Sequence, residues 1–221
     1  METDEVILLD YWPSPFGART RIALAEKGII SYEHKTESDL ANKSPLLMEM
    51  NPIHQKIPVL IHKGKPICES DIIIQYIDQV WKDGCSPNLL PVDPYHRAKA
   101  RFLVDFIDKM VHKSSVKIWM GKEEVQEIGK RELIEWCKIL ELELGDKSYF
   151  GGETFGYVDI AFVPFYKWLD FFKSFANFFI DQECPKLVEW GKRCLERESV
   201  SISLPTEDEI HKAYLKFKKG F

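Results

Sequence analysis

The sequence predicts two structural units, an α/β N-terminal unit built on a small mixed sheet and an all-α unit behind it. Three observations carry this expectation. Short β-type runs alternate with helical ones over the first 82 residues. A turn-rich stretch follows, Asp83-Gly84-Cys85-Ser86-Pro87-Asn88-Leu89-Leu90-Pro91. Beyond it, apolar residues keep three-to-four spacing almost to the end. The boundaries read as 1–82 for the first unit, 83–92 for a linker and 93–221 for the helical unit.

Taken in order, Val6-Ile7-Leu8-Leu9 is a continuous apolar run, the pattern of a strand buried on both faces. Ser14-Pro15 reads as an N-cap followed by proline at the first helical position. The helix it opens runs through Ile22, Ala23 and Leu24 and stops at Gly28. Ser31 to Thr36 reads as a polar edge strand. Pro58 to His62 and Pro66 to Cys68 form a hairpin across Lys63-Gly64-Lys65. Glu69 to Trp81 is helical, with Ile73, Ile77 and Trp81 four apart. In the second unit Phe102, Phe106 and Met110 stand four apart, and Leu133, Cys137, Leu140 and Leu144 keep three-to-four spacing. Pro185 starts a helix carrying Leu187, Val188, Trp190 and Leu195, and a last helix runs from about Glu207 to Lys218.

Composition narrows the function classes. The 221 residues are 45% apolar and 29% charged, which excludes a mainly disordered or collagen-like chain. Thirty Lys and Arg against 35 Asp and Glu give a formal charge of −5, opposite to the basic footprint of a non-specific nucleic-acid binder. The tail Lys216-Phe217-Lys218-Lys219 is too short to change that. Cys68, Cys85, Cys137, Cys184 and Cys194 are odd in number and form no C-x-x-C, so they read as reduced thiols without a disulfide or zinc framework. Met-Glu-Thr-Asp-Glu lacks the basic start of a signal peptide, and no run approaches the ~18 apolar residues of a membrane span. The expected setting is the cytosol, with no membrane, nucleic-acid or metal partner.

The stretch Trp12 to Arg19, the segment Asn42 to Leu47, the run Asn51-Pro52-Ile53-His54-Gln55-Lys56-Ile57-Pro58-Val59-Leu60, and Glu69-Ser70 with Gln75-Tyr76-Ile77-Asp78 resemble the plant tau-class glutathione transferases. Tyr149-Phe150-Gly151-Gly152 and Val158-Asp159-Ile160-Ala161 match later in the chain, in the same order. The resemblance implies a thioredoxin-like N-terminal domain that binds glutathione, an all-helical C-terminal domain, and a homodimer. It implies conjugation of glutathione to hydrophobic electrophiles in detoxification and the stress response, with glutathione as co-substrate and no further cofactor.

Chemistry gives each matched residue a reason. A thiol with pKa near 8.5 must become a thiolate, and helix N-termini favour thiolates. The family's catalytic serine falls on Ser14, whose hydroxyl can donate to sulfur; by local pattern alone Ser14 is only an N-cap. Arg19 either orients an acid near the site or is a solvated helix charge. By resemblance Ile57, before a cis Pro58, offers its N–H and C=O to the ligand's cysteine, and Lys43 and Lys56 meet the glycine carboxylate. Glu69 and Ser70 would grip the γ-glutamyl end; otherwise they are a capping pair. Asp71 is an extra acid there that strengthens ammonium binding or faces solvent. Pro15, Phe16 and Trp119 would line the electrophile pocket, with Lys113 to Val116 the least family-like part of that wall. The cluster from Phe165 to Phe179 exceeds one buried stripe, so part of it completes the pocket or a site for bulky ligands. Asp159 reads as a buried capping acid, with Gly156 where the family places Ser or Thr.

Three functions remain open on these residues: conjugation, with hydroperoxide reduction as a side activity; disulfide or dehydroascorbate reduction; and carriage of bulky apolar ligands. Disulfide exchange needs a cysteine where Ser14 stands.

Overall fold

A computed structural model describes residues 5–37, 42–82 and 87–218. The linker residues Asp83 to Ser86, Cys85 among them, and Lys219 of the basic tail lie outside the described residues.

The N-terminal unit runs β1 (Val6–Asp10), α1 (Pro15–Glu26), β2 (Glu33–Thr36), α2 (Pro45–Met50), β3 (Val59–His62), β4 (Lys65–Cys68) and α3 (Ser70–Val80). The sheet order is β2-β1-β3-β4. β1 lies parallel to β2 and antiparallel to β3, and β4 pairs antiparallel with β3. The charged strand β2 occupies an edge, as its polar sequence predicts. The hairpin turn has positive φ at both Lys63 (51°) and Gly64 (72°), the geometry that matches strand twist. Because side chains alternate along a strand, β3 serves two cores. Leu60 faces Ala18, Ile22, Ile73 and Ile77 of α1 and α3, and Val59 and Ile61 face Leu47 of α2.

The helical unit contains α4 (Pro94–Phe106), a π-helical turn (Ile107–Val111), α5 (His112–Met120), α6 (Glu123–Leu144), α7 (Tyr157–Ala176), α8 (Pro185–Leu195), α9 (Glu198–Ser201) and α10 (Glu207–Lys218). A helix carries Phe102 and Phe106, as their spacing predicts, but Phe102, Phe106 and Met110 are not its core stripe. Phe102 is 66% exposed, while Leu103, Val104, Ile107 and Val111 are buried. Every one of the four positions Leu133, Cys137, Leu140 and Leu144 is buried.

Buried polar groups anchor the linker and the start of α7. Lys27 Nζ lies 2.9 Å from Asp78 Oδ1 and donates to Pro87 O at 2.7 Å. Asp78 also accepts from Leu89 N (2.8 Å) and Leu90 N (3.2 Å), so the far end of the linker is tied to α3. Asp159, fully buried, accepts from Gly156 N (3.0 Å), Phe150 N (3.0 Å) and Trp190 Nε1 (2.8 Å). Burial raises its carboxyl pKa to about 6 against those three donors. A Cβ at Gly156 would stand 2.8 Å from Leu89 O, which accounts for glycine at this helix start.

Candidate active site

Ser14 stands where β1 gives way to α1. Its N–H turns back to Tyr11 O (2.8 Å), and its Oγ accepts from Gly17 N (3.3 Å). The hydroxyl hydrogen has no acceptor among the described residues and remains available to a ligand. Four first-turn N–H groups and the helix dipole converge on the same place. The close approach under this turn demands glycine at 17, where a Cβ would lie 1.7 Å from Asp10 Oδ1. Asp10 is itself buried and paired with Arg21, whose guanidinium stacks over Trp12 at 4.1 Å.

The peptide bond Ile57-Pro58 is cis. Buried Asn51 shapes the loop before it, accepting from His54 N (3.1 Å) and donating to Lys56 O (2.9 Å). Lys56 is exposed and Lys43 half-buried, and neither forms an ion pair with a described carboxylate. Among the described residues, two ammonium groups thus stand unpaired in the loops before β3 and α2.

Glu69 joins β4 to α3 with φ 68° and ψ 119°. A positive φ is costly for a residue with a Cβ, and such residues concentrate at ligand clamps. No side-chain capping bond comes from Glu69, so the capping-pair alternative fails for this residue. Its carboxylate instead meets His54 Nδ1 at 2.6 Å. Ser70 is buried, and its Oγ accepts from Arg19 Nη1 at 3.1 Å. Asp71 is half-buried; burial raises its carboxyl pKa, and nearby Asp108 adds to the rise.

Arg19 is fully buried, which overturns the solvated-charge alternative. It donates to Ala161 O (2.9 Å) and to both oxygens of Asp108 (2.6 and 3.2 Å), besides Ser70. Its guanidinium lies over the rings of Phe16 (5.1 Å) and Phe165 (5.2 Å). A single side chain therefore joins α1, α3, α7 and the π-helical turn.

Ser14, Pro15, Phe16 and Ile57 form one wall of a cleft of about 150 Å³. The helical unit supplies the other wall through His112, Trp119, Phe165, Trp168 and Phe172, and Phe217 of α10 reaches in over Trp119 at 5.0 Å. The aromatic cluster divides its labour. Phe165, Trp168 and Phe172 face the cleft, whereas Phe171 and Phe175 stack at 5.4 Å and pack against Tyr214 of α10. A larger cavity, about 560 Å³, opens between Asn88–Asp93, α4 and the start of α7, but none of the residues named for the site borders it.

Comparison with known proteins matches residues 4–79 to the family described as "Glutathione S-transferase, N-terminal domain" and residues 95–198 to "Glutathione S-transferase, C-terminal domain". The chain belongs to the glutathione S-transferase family. Glutathione S-transferase U25 of Arabidopsis thaliana is 59% identical over 216 residues, 98% of this chain and 96% of that relative. The probable glutathione S-transferase parC of Nicotiana tabacum is 59% identical over 210 residues, 95% and 94% of the two chains. A rice GST1 structure in complex with glutathione superposes with TM-score 0.91 at 40% identity, covering 100% of this chain and 99% of that one. A tau-class transferase from mango, Mangifera indica, gives 0.87 at 38% identity, covering 96% and 98%. Within the family the chain is a plant tau-class member, and its sheet and helices are the thioredoxin-like and all-helical parts of the glutathione transferase fold.

Against this family background several site residues escaped the sequence reading. Asp108, the partner of Arg19, and His112 in the cleft carry no local pattern that marks them. Asn51 and His54 stood inside a matched run, but nothing in the run shows which side chains shape its loop.

Proposed function

We propose that this chain is an enzyme that transfers the thiolate of reduced glutathione to hydrophobic electrophiles. The carrying observation is that one cleft holds the free Ser14 hydroxyl, at a helix N-terminus, beside Ile57 and opposite an aromatic wall. Ser14 donates to the sulfur anion, which lowers the bound thiol's pKa. The Ile57 backbone holds the cysteinyl unit, and Lys43 and Lys56 attract the glycine carboxylate. Glu69 meets the γ-glutamyl ammonium, and Ser70 the γ-glutamyl carboxylate. Arg19 keeps Ser70 in place through the bond described above. Pro15, Phe16 and Trp119 receive the apolar electrophile, and bringing it to the thiolate supplies rate by proximity. The sulfur is the nucleophile, so glutathione is co-substrate and the reaction uses no further cofactor.

The same reading extends to assembly and setting. Ile72 and Val80 of α3 and Tyr95 and Phe102 of α4 are exposed apolar side chains on neighbouring helices, which Gln75 and Arg101 join by a 2.8 Å bond. They suit burial against a second copy, giving a homodimer. The described cysteines are all free, in keeping with the reducing cytosol, where an enzyme of this kind serves detoxification and the stress response.

Conjugation of chlorodinitrobenzene, followed with calorimetric titration of glutathione, tests the activity. Saturable turnover with measurable glutathione binding is expected. Glutathione binding absent, or binding without turnover of any aryl or alkyl halide, overturns it.

A further inference from the structure

His112 opens α5 and lines the cleft together with Ser14 and Ile57. Its ring meets Phe16 edge-on at 4.9 Å and 85°, and leans on Phe165 at 5.8 Å. Neither ring nitrogen has a hydrogen-bond partner among the described residues. The surrounding wall is otherwise aromatic, and the neighbouring Ser115 spends its hydroxyl on Val111 O at 2.8 Å. An imidazole with no internal role therefore faces an apolar cavity.

Its placement follows from the π-helical turn before it. That turn, Ile107–Val111, inserts an extra residue into the helix and shifts its phase. Asp108 is thereby given to Arg19, while His112, four residues on, stays in the cleft. Burial lowers the imidazole pKa, and the positive charges of Arg19, Lys56 and Lys113 lower it too; Asp108 opposes them. A neutral imidazole offers one N–H donor and one acceptor nitrogen.

We propose that His112 donates a hydrogen bond to a carbonyl oxygen of the second substrate, which makes conjugated carbonyl compounds a preferred electrophile class of this chain. The inference rests on the reading that Ser14 holds a glutathione thiolate in the same cleft. The sulfur lone pair forms the C–S bond at the β-carbon, and the C=C π pair moves towards the carbonyl oxygen. The resulting enolate charge meets the His112 N–H. The α-carbon then takes a proton from water, which replaces the proton lost when the thiol ionised. No oxidant or reductant enters. A preorganised donor at a developing oxyanion is worth about 10²–10³ in rate, and one partly exposed donor sits at the low end of that range.

The test uses two phenyl electrophiles of similar size, benzylideneacetone, which bears the conjugated carbonyl, and benzyl chloride, which does not. The measured quantity is the ratio of their kcat/KM values in one enzyme. His112→Phe is expected to lower that ratio about 10- to 100-fold, and His112→Gln, which keeps an N–H donor, to return it to within about threefold of wild type. A ratio in His112→Phe within threefold of wild type overturns the proposal. So does an equal fall in His112→Gln, because the loss is then one of shape. A wild-type enzyme that conjugates neither compound overturns the transferase reading itself, a result distinct from either.

Discussion

Replacing Ser14 by alanine removes two interactions that can be measured apart. The first is the helix cap, in which Oγ accepts from Gly17 N at 3.3 Å. Losing a cap costs about 0.5–2 kcal/mol of stability, and a bond this long belongs in the lower half of that range. The second is the hydroxyl donor, which has no acceptor within the described protein and so has its full strength to give to a thiolate. A hydrogen bond to a charged group contributes about 1.5–3 kcal/mol, which is roughly 10- to 150-fold in turnover. At about 1.36 kcal/mol per pKa unit the bound thiol rises by about one to two units. The sign is fixed: the donor favours the anion, so its loss moves the rising limb of the pH–rate profile to higher pH. Ser14→Asp separates the two effects. It keeps an N-cap acceptor but offers no donor at neutral pH and adds repulsion to the thiolate. Its melting temperature should stand at or above that of Ser14→Ala while its turnover is no better. Ser14→Thr retains both interactions and should stay within about tenfold of wild type. Rates on wild type and variants between acid and mildly basic pH, with thermal melts alongside, give both numbers. An alanine variant that loses stability but keeps wild-type turnover and pH dependence shows that Ser14 is a cap and nothing more.

Glu69→Ala should raise KM for glutathione, with a smaller loss of kcat, if its carboxylate holds the γ-glutamyl ammonium, as proposed, away from sulfur; wild-type affinity by calorimetry refutes that role. Ser14→Cys places a thiol at the same helix terminus, so its pKa should fall below the free value and oxidised glutathione should form a mixed disulfide with it, detectable by mass spectrometry. A cysteine that titrates near 8.5 without an adduct refutes the placement of the thiolate. Asp159 binds its proton more tightly folded (about 6) than at its ordinary value of 3.8, a difference of about 2 units or about 3 kcal/mol. Its contribution to stability is therefore largest below about pH 4 and is lost as pH rises through about 6. Asp159→Asn should flatten that slope in urea melts taken across the window, and an unchanged slope refutes the assignment.

The fold was legible where one residue's neighbours along the chain decide its state. The run Val6–Leu9 could only be a strand covered on both sides, and Lys63-Gly64 could turn tightly because glycine supplies a positive φ. Ser14-Pro15 reads as a cap followed by proline, but the same signal at Ser44-Pro45 is missed by the order β-α-β-loop-β-β-α, which puts a loop where α2 stands. The face of α4 was not legible. Four-residue spacing fits Phe102-Phe106-Met110 as well as Leu103-Ile107-Val111, and only packing against the rest of the helical unit selects the second. The phase change at Ile107–Val111 adds to the ambiguity, since a pattern of period 3.6 assumes that no turn is widened.

The site divides in the same way, and Arg19 shows why. Local pattern makes it an ordinary helix charge one and a half turns past a cap. Its burial comes from Ala161, 142 residues away, from Asp108, 89 away, and from Ser70, 51 away. No spacing rule reaches those distances, so the sequence leaves Arg19 open between the partner of an acid and a solvated charge. The same contacts, set in a core that runs unbroken from the N-terminal unit into the helical one, explain how two halves make one cleft. Arg19 fixes the Ser70 hydroxyl at the start of α3, and through Asp108 it fixes the π-helical turn that delivers His112. Removing Asp108 would leave a buried guanidinium short of its charge partner, and such losses are far larger than those of a surface ion pair. The glutathione side and the electrophile side therefore cannot shift independently at this point. A substitution at Asp108 should disturb both substrates together, whereas one at Glu69 or His112 should disturb only one.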